Sequence, residues 1–467
     1  MKKSLLVLLL VTIVLLSACT ALQTISSPDP EEVTESKNKE EKDSDKDNKE
    51  EGEESKEEEK EDVLDFTYPD AVRGIYLTGN SAGGSRFDDL VDLVNETDLN
   101  AMVIDIKNDH GNVTFKLDGT EFDDISKNYI SDPEEMMEVL YENEIYPIAR
   151  IVVFKDSVLP EEHPEFGFKN YNGSVWKNNS GEAFTNPFME EVWEYNLDIA
   201  ELAAEMGFQE IQFDYVRFPD GFGSRDEKLD YSFGNYTEEE LTPRIEEEWE
   251  EMLDETDGEK PEFTNNNIDK EDIEDELDKE NKDKEPKEDD WEELSPPEYN
   301  YGLARVMAVT DFVEYANDRL KDYDVDVSVD IFGYTATVPE SRGIGQNFYK
   351  ISEHVDVISS MIYPSHWGPG SFGIDAPDLY PYELIEKYSK TENELLDELD
   401  NPPVSRPWLQ DFTASWLGTK GVNYLNYGKE EVEAQIKALH ENGIDEYLLW
   451  DPSNRYTRGV DFLPLED

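Results

Sequence analysis

Cysteine is almost absent from this chain: of 467 residues, only Cys19 carries a thiol. No disulfide can form within it, so its folded part must rest on an apolar core. Histidine is nearly as scarce. His110, His163, His354, His366 and His440 are scattered, with no HxH or HxxE spacing, so no zinc centre is expected. No GxSxG turn offers a serine nucleophile. Gly83-Gly84 stands in Ala-Gly-Gly-Ser, which is neither a dinucleotide nor a phosphate loop. Neither a metal nor a cofactor is called for. Positive charge is short too: 41 Lys and Arg oppose 113 Asp and Glu, a net charge of −72. A chain this acidic lacks the basic face that phosphates need, so no nucleic-acid partner is expected.

Long apolar runs are missing except for one, Leu5 to Leu16, which follows Lys2 and Lys3 and leads into Leu16-Ser17-Ala18-Cys19. A basic start, a short apolar stretch and small residues before a cut read as a secretory signal over 1–18. The run is short for a membrane span. Leu-Ser-Ala-Cys resembles a bacterial lipobox, which implies lipidation of Cys19 and a lipid anchor on the extracytoplasmic face of the cell membrane. Residues 19–62 are mostly Ser, Pro, Glu, Lys and Asp. They bury too little to offset ordering entropy and read as a disordered acidic tether.

From residue 63 to 467 the apolar pattern is that of a folded domain, expected to be monomeric. Eight apolar segments read as strands, near 71–78, 101–109, 146–154, 210–220, 326–334, 355–364, 404–412 and 446–452. Between them lie helical stretches near 86–96, 132–143, 187–206, 303–320 and 429–442, marked by apolar positions three and four apart. Asp132-Pro133 is a helix start, with Asp as cap and Pro in the first turn. Residues 222–300 break the pattern with acidic, low-complexity sequence and read as a disordered or weakly helical insertion after strand four. The alternation predicts an α/β fold, a TIM (β/α)8 barrel, over the alternative of a doubly wound sheet.

A barrel gathers its strand ends at one face, where sites are built. Strand two brings Asp105 and Lys107, and strand three Arg150. Strand four brings Asp214, Tyr215 and Arg217, and strand five Asp330. Strand six brings Tyr363, His366 and Trp367, strand seven Gln410 and Asp411, and strand eight Trp450 and Asp451. Carboxylates among aromatic rings suit carbohydrate: rings stack on sugar faces, and carboxyl groups bond hydroxyls. Two carboxyls flanking a glycosidic bond supply an acid and a nucleophile or base. Asp214 is the candidate nucleophile or base and Asp330 the candidate acid, with Asp105 as the alternative acid. Arg150 and Arg217 are expected to orient carboxylates. The remaining residues are candidate substrate contacts.

Gly74-Ile75-Tyr76-Leu77-Thr78, Asp105-Ile106-Lys107, Phe213 to Pro219, Asp330 to Tyr334 and Met361 to Trp367 together resemble a bacterial family of glycoside hydrolase barrels. That family was long filed as a domain of unknown function. The resemblance spans about 70–467 apart from the insertion. It implies a TIM barrel distantly similar to alpha-amylase-type enzymes, with Asp214 at the nucleophile position. It also implies Glu as the strand-five acid, where this sequence has Asp330. The expected function is hydrolysis of a polysaccharide at the cell surface. The alternative is a non-catalytic carbohydrate-binding or envelope-scaffold lipoprotein. A polysaccharide deacetylase is disfavoured by the missing metal histidines.

Overall fold

A computed structural model of the chain describes residue 64, residues 66–255 and residues 296–463. The expected signal peptide, Cys19, the tether and the later part of the insertion lie outside the described residues.

Eight parallel strands close on themselves. They are β1 (Arg73–Leu77), β2 (Ala101–Lys107), β3 (Tyr146–Val152), β4 (Glu210–Asp214), β5 (Asp326–Phe332), β6 (Val357–Met361), β7 (Trp408–Gln410) and β8 (Tyr447–Trp450). Each pairs with the next, and β8 pairs back to β1 through Gly74 and Leu448. Closure leaves no open edge, and makes the fold a TIM barrel. Gly74 lets Leu448 approach at the seam, since a Cβ there would meet Leu448 Cδ2 at 2.7 Å and push that side chain aside.

Two-residue periodicity sorts side chains between the lumen and the helix layer. On β4, Ile211 and Phe213 join the outer core, where Phe213 meets Phe312 edge-on. Glu210, Gln212 and Asp214 form a ladder along the lumen. Glu210 pairs with Arg406 at 2.5 Å, Gln212 donates to Ser359 at 3.3 Å, and Asp214 meets Arg150. The lumen also holds an apolar cluster that includes Val103, Ile148, Trp408 and Leu448.

The outer helices include α1 (Arg86–Asn95), α2 (Pro133–Glu142), α3 (Glu190–Glu205), α4 (Glu238–Glu255), α5 (Tyr301–Leu320), α6 (Phe348–Ser352), α7 (Pro381–Leu396) and α8 (Lys429–His440). Asp132 caps α2, accepting from the Glu135 amide at 2.9 Å. Three features differ from the expectation. An added pair, Val113–Phe115 with Ser126–Ile130, extends the sheet beyond β2. Strand seven is broken, with Val404–Ser405 separated from β7. The interruption holds Pro407, which has no amide to donate, and Arg406, whose guanidinium is held by Glu210 and Glu446.

The third difference is the insertion. Its early part, read as disordered or weakly helical from residue 222, is ordered: Leu229–Asp230 pairs with Lys169–Asn170, and the helix α4 buries Leu241, Ile245 and Trp249. Arg244 grips Asp311 of α5 through both terminal nitrogens at 2.5 and 2.6 Å, and Arg305 pairs with buried Asp226 at 2.8 Å. A few well-placed apolar residues and ion pairs anchor a segment whose average composition suggests none.

Candidate active site

The carboxyl ends of the strands surround a cavity of about 210 Å³, lined by Asp109, Arg150, Asp214, Tyr215, Arg217, Asp330, Phe332, Met361, Tyr363, His366, Trp408 and Trp450. At its centre is Arg150, fully buried on β3. Its Nε and Nη2 donate to Asp214 Oδ2 at 3.0 and 2.5 Å, Nη1 donates to Asp105 at 2.6 Å, and Nη2 also donates to Asp109 at 2.9 Å. One guanidinium thus fixes three carboxyl groups, a use suited to its planar fork of donors. Its carbon lies 5.4 and 5.5 Å from the ring centres of Tyr76 and Trp450, which stack at 4.1 Å. A cation over aromatic faces is attracted by their quadrupoles.

The carboxyls differ in surroundings. Asp214 accepts the two Arg150 bonds and, through Oδ1, the Tyr215 amide at 2.5 Å. Asp330 is buried, and its Oδ1 accepts the Trp408 indole N–H at 2.6 Å. Burial, and then the negative charge of Asp214, push the Asp330 carboxyl well above the usual range. Burial also lifts Asp105 to about 6, opposed by Arg150 and by the Tyr76 hydroxyl that donates to it at 2.6 Å. Asp109 is partly desolvated, which pushes upward, but Arg150 and Lys155 outweigh this and hold it low.

Tyr215, just after β4, has φ of 53°, a left-handed conformation that costs energy for a bulky residue and clusters at functional sites. Its ring lies between Lys155 and Arg217, at 4.6 and 4.8 Å. Arg217 lies over Phe332 at 4.5 Å and bonds Phe218 O and Asp220. It lines the cavity without bonding Asp214, so the guanidinium that orients the carboxylates is Arg150.

Several expected residues lie elsewhere. Lys107 is buried against the helix layer, paired with Asp156 at 2.8 Å and bonded to Val152 O. A register shift between Asp105 and Lys107 breaks the alternation and turns Lys107 out of the lumen. Gln410 braces two loops, accepting from the Ser365 amide and donating to Asp378 and Phe412 O. Asp411 bonds the amide and hydroxyl of Thr457, at 2.8 and 2.5 Å. Asp451 caps the turn after β8 through Ser453 and Arg455. Trp367 packs on Phe372 and Tyr388. None of these five lines the cavity.

Sequence reading passed over Asp109, Phe332, Met361 and Trp408 of the lining, and Tyr76 beneath Asp105. Asp109 closes the polar end of strand two, and position alone could have found it. Trp408 reads as core until its indole N–H is placed on Asp330. Among the described residues, no group of three or more His, Cys, Asp or Glu is arranged to hold a metal ion.

Among curated proteins, none matches the chain. Solved structures similar to parts of it include the following three. A hypothetical protein from Ruminiclostridium thermocellum is 34% identical over 36% of this chain and 87% of its own, with a TM-score of 0.32. The PgaB (BpsB) glycoside hydrolase domain from Bordetella bronchiseptica is 13% identical over 83% and 95%, with a TM-score of 0.47. The alpha-galactosidase TtGalA from Thermus thermophilus is 10% identical over 84% and 60%, with a TM-score of 0.43. The family described as "Putative glycosyl hydrolase domain" matches residues 74–456, nearly the whole barrel, and the chain belongs to that family.

Proposed function

We propose that the protein hydrolyses glycosidic bonds of a polysaccharide, with Asp330 as general acid and Asp214 as nucleophile or base. The observation that carries this reading is the contrast between two carboxyls facing one cavity. Asp214 is held as the ion partner of a guanidinium, and Asp330 is buried against an indole N–H beside it. A carboxyl that burial holds protonated suits a general acid. Asp330 gives its proton to the glycosidic oxygen as the bond breaks. Asp214 acts at the anomeric carbon, directly or through a water. Arg150 fixes the Asp214 carboxylate, Asp105 and Asp109 hold Arg150, and Trp450 and Tyr363 offer faces to the sugar. Membership of a family described as a glycosyl hydrolase domain supports the same reading.

The test is a panel of polysaccharides, with release of reducing ends measured for the wild type and Asp214→Asn. The expected result is release by the wild type from at least one polymer and a loss of about 10²-fold or more in the variant. Undiminished release by Asp214→Asn overturns the assignment. Binding without release by the wild type favours the carbohydrate-binding alternative.

We also propose that the enzyme works at the extracytoplasmic face of the cell membrane, anchored through Cys19. Palmitate label should enter the wild type and not Cys19→Ala. Equal labelling of both contradicts the anchor.

A further inference from the structure

Beyond the cavity, the loop after β7 carries Trp416 on a short turn, Ser415–Leu417. Trp416 is 65% exposed, the most exposed tryptophan among the described residues. A single exposed indole needs no explanation by itself; its place beside the rings that lead into the cavity is what gives it a role. One face stacks on Phe412, with ring centres 5.8 Å apart and planes at 21°. The exposure leaves the other face open. Its edge meets His366, with centres at 6.5 Å and planes at 80°. His366 in turn lies edge-on to Tyr363, and both line the cavity that holds Asp214 and Asp330. The aromatic surface is therefore continuous from the cavity to Trp416.

This surface is held in place. Gln410 accepts from the Ser365 amide at 3.0 Å, beside His366, and donates to Phe412 O at 3.0 Å. One buried side chain thus locks the two loops that carry the rings. Farther along, Thr413 Oγ1 accepts from the Tyr427 amide at 3.1 Å, which ties down the loop. A platform fixed before binding loses little freedom when a ligand arrives.

We propose that Trp416, backed by Phe412, is an outer subsite that stacks a further sugar ring of a chain whose scissile bond lies in the cavity. The proposal rests on the glycoside hydrolase reading and extends it. The substrate class becomes a linear oligosaccharide or polysaccharide long enough to reach past His366, rather than a mono- or disaccharide. The open indole face would take the apolar face of a pyranose.

The test uses the full chain and a glycan array of linear gluco-, xylo- and N-acetylglucosamine oligomers, from single sugars to six units. Binding is measured for the wild type, Trp416→Ala, Trp416→Phe and Asp214→Asn. Because Trp416 is exposed, its substitution should leave unfolding unchanged. The expected result is that Trp416→Ala weakens binding of the longer oligomers by about tenfold, the scale of one aromatic stacking contact. Mono- and disaccharide binding should be unaffected, and Trp416→Phe should restore most of the loss. Equal affinity of wild type and Trp416→Ala at every length overturns the subsite, as does an equal loss at every length or no binding by the wild type. Asp214→Asn separates the two readings. If it abolishes turnover yet keeps the length dependence, both stand. If it turns over normally while Trp416→Ala loses the long oligomers, the subsite stands and the catalytic assignment falls.

Discussion

Arg150 Nη2 lies 2.5 Å from Asp214 Oδ2, with Nε of the same guanidinium 3.0 Å from that oxygen. Both side chains are buried, and the remaining Arg150 nitrogen goes to Asp105. The pair joins the stability of the barrel mouth to the position of its central carboxylate. Arg150→Ala leaves buried carboxylates without their cation, which should cost about 3–5 kcal/mol. Calorimetric unfolding should show a large fall in Tm. Arg150→Lys keeps the charge but not the fork, so Asp214 and Asp105 cannot both be held. Its Tm should fall less, while turnover falls about 10²-fold through misplacement of Asp214. Normal turnover in Arg150→Lys would show that the fork does not position the site.

Lys107 provides the opposite case. It stood with the candidate contacts, yet it pairs with Asp156 on the helix side of β2. Lys107→Met should destabilise the fold by about 3–5 kcal/mol, because Asp156 is left buried and unpaired. At a temperature where the variant stays folded, KM should match the wild type. Chemical denaturation beside steady-state kinetics checks both, and a raised KM without loss of stability would return Lys107 to the site.

Asp411 makes a pH-dependent contribution whose sign follows from its burial, which lifts the carboxyl to about 6. The folded state therefore holds this proton more tightly than the unfolded chain does. The resulting stability is fully present below about pH 4, the unfolded value, and is lost as pH rises through about 6. Asp411→Asn retains an acceptor for Thr457 and does not titrate. Relative to the wild type, the variant should gain on the order of 2–3 kcal/mol between pH 4 and pH 7. Urea unfolding at the two pH values measures the difference, and parallel pH dependence of the two proteins would contradict the assignment.

The barrel was legible because its strands are short apolar runs with polar ends, as in Phe213-Asp214 and Ile331-Phe332, and because its helices carry regular apolar spacing. Asp214, Asp330, Arg150, Tyr363 and Trp450 could be placed at the site by the rule that the carboxyl ends of the strands gather. The rule failed where local geometry broke the count. The irregularity after Asp105 reversed Lys107, and no composition signals such a shift. Gln410, Asp411 and Asp451 sit at strand ends as expected, but their oxygens and nitrogens are taken by loop backbone and side chains. Strand-end position identifies a polar residue at the mouth without showing which partner it finds. Helix α7 escaped notice because its polar stretch Pro381–Leu396 buries only a few large apolar side chains, among them Leu384, Ile385 and Tyr388.

The assignment of Asp330 as the proton donor is tested most directly by its dependence on the leaving group. A general acid matters when the departing oxygen needs a proton, and matters little when the oxygen leaves readily as an anion. Asp330→Asn should therefore lose about 10²- to 10⁴-fold in turnover on the polysaccharide that the wild type cleaves. It should lose much less on a dinitrophenyl glycoside of the same sugar. Loss by the same factor on both substrates, or no loss on the polysaccharide, would contradict the role given to Asp330.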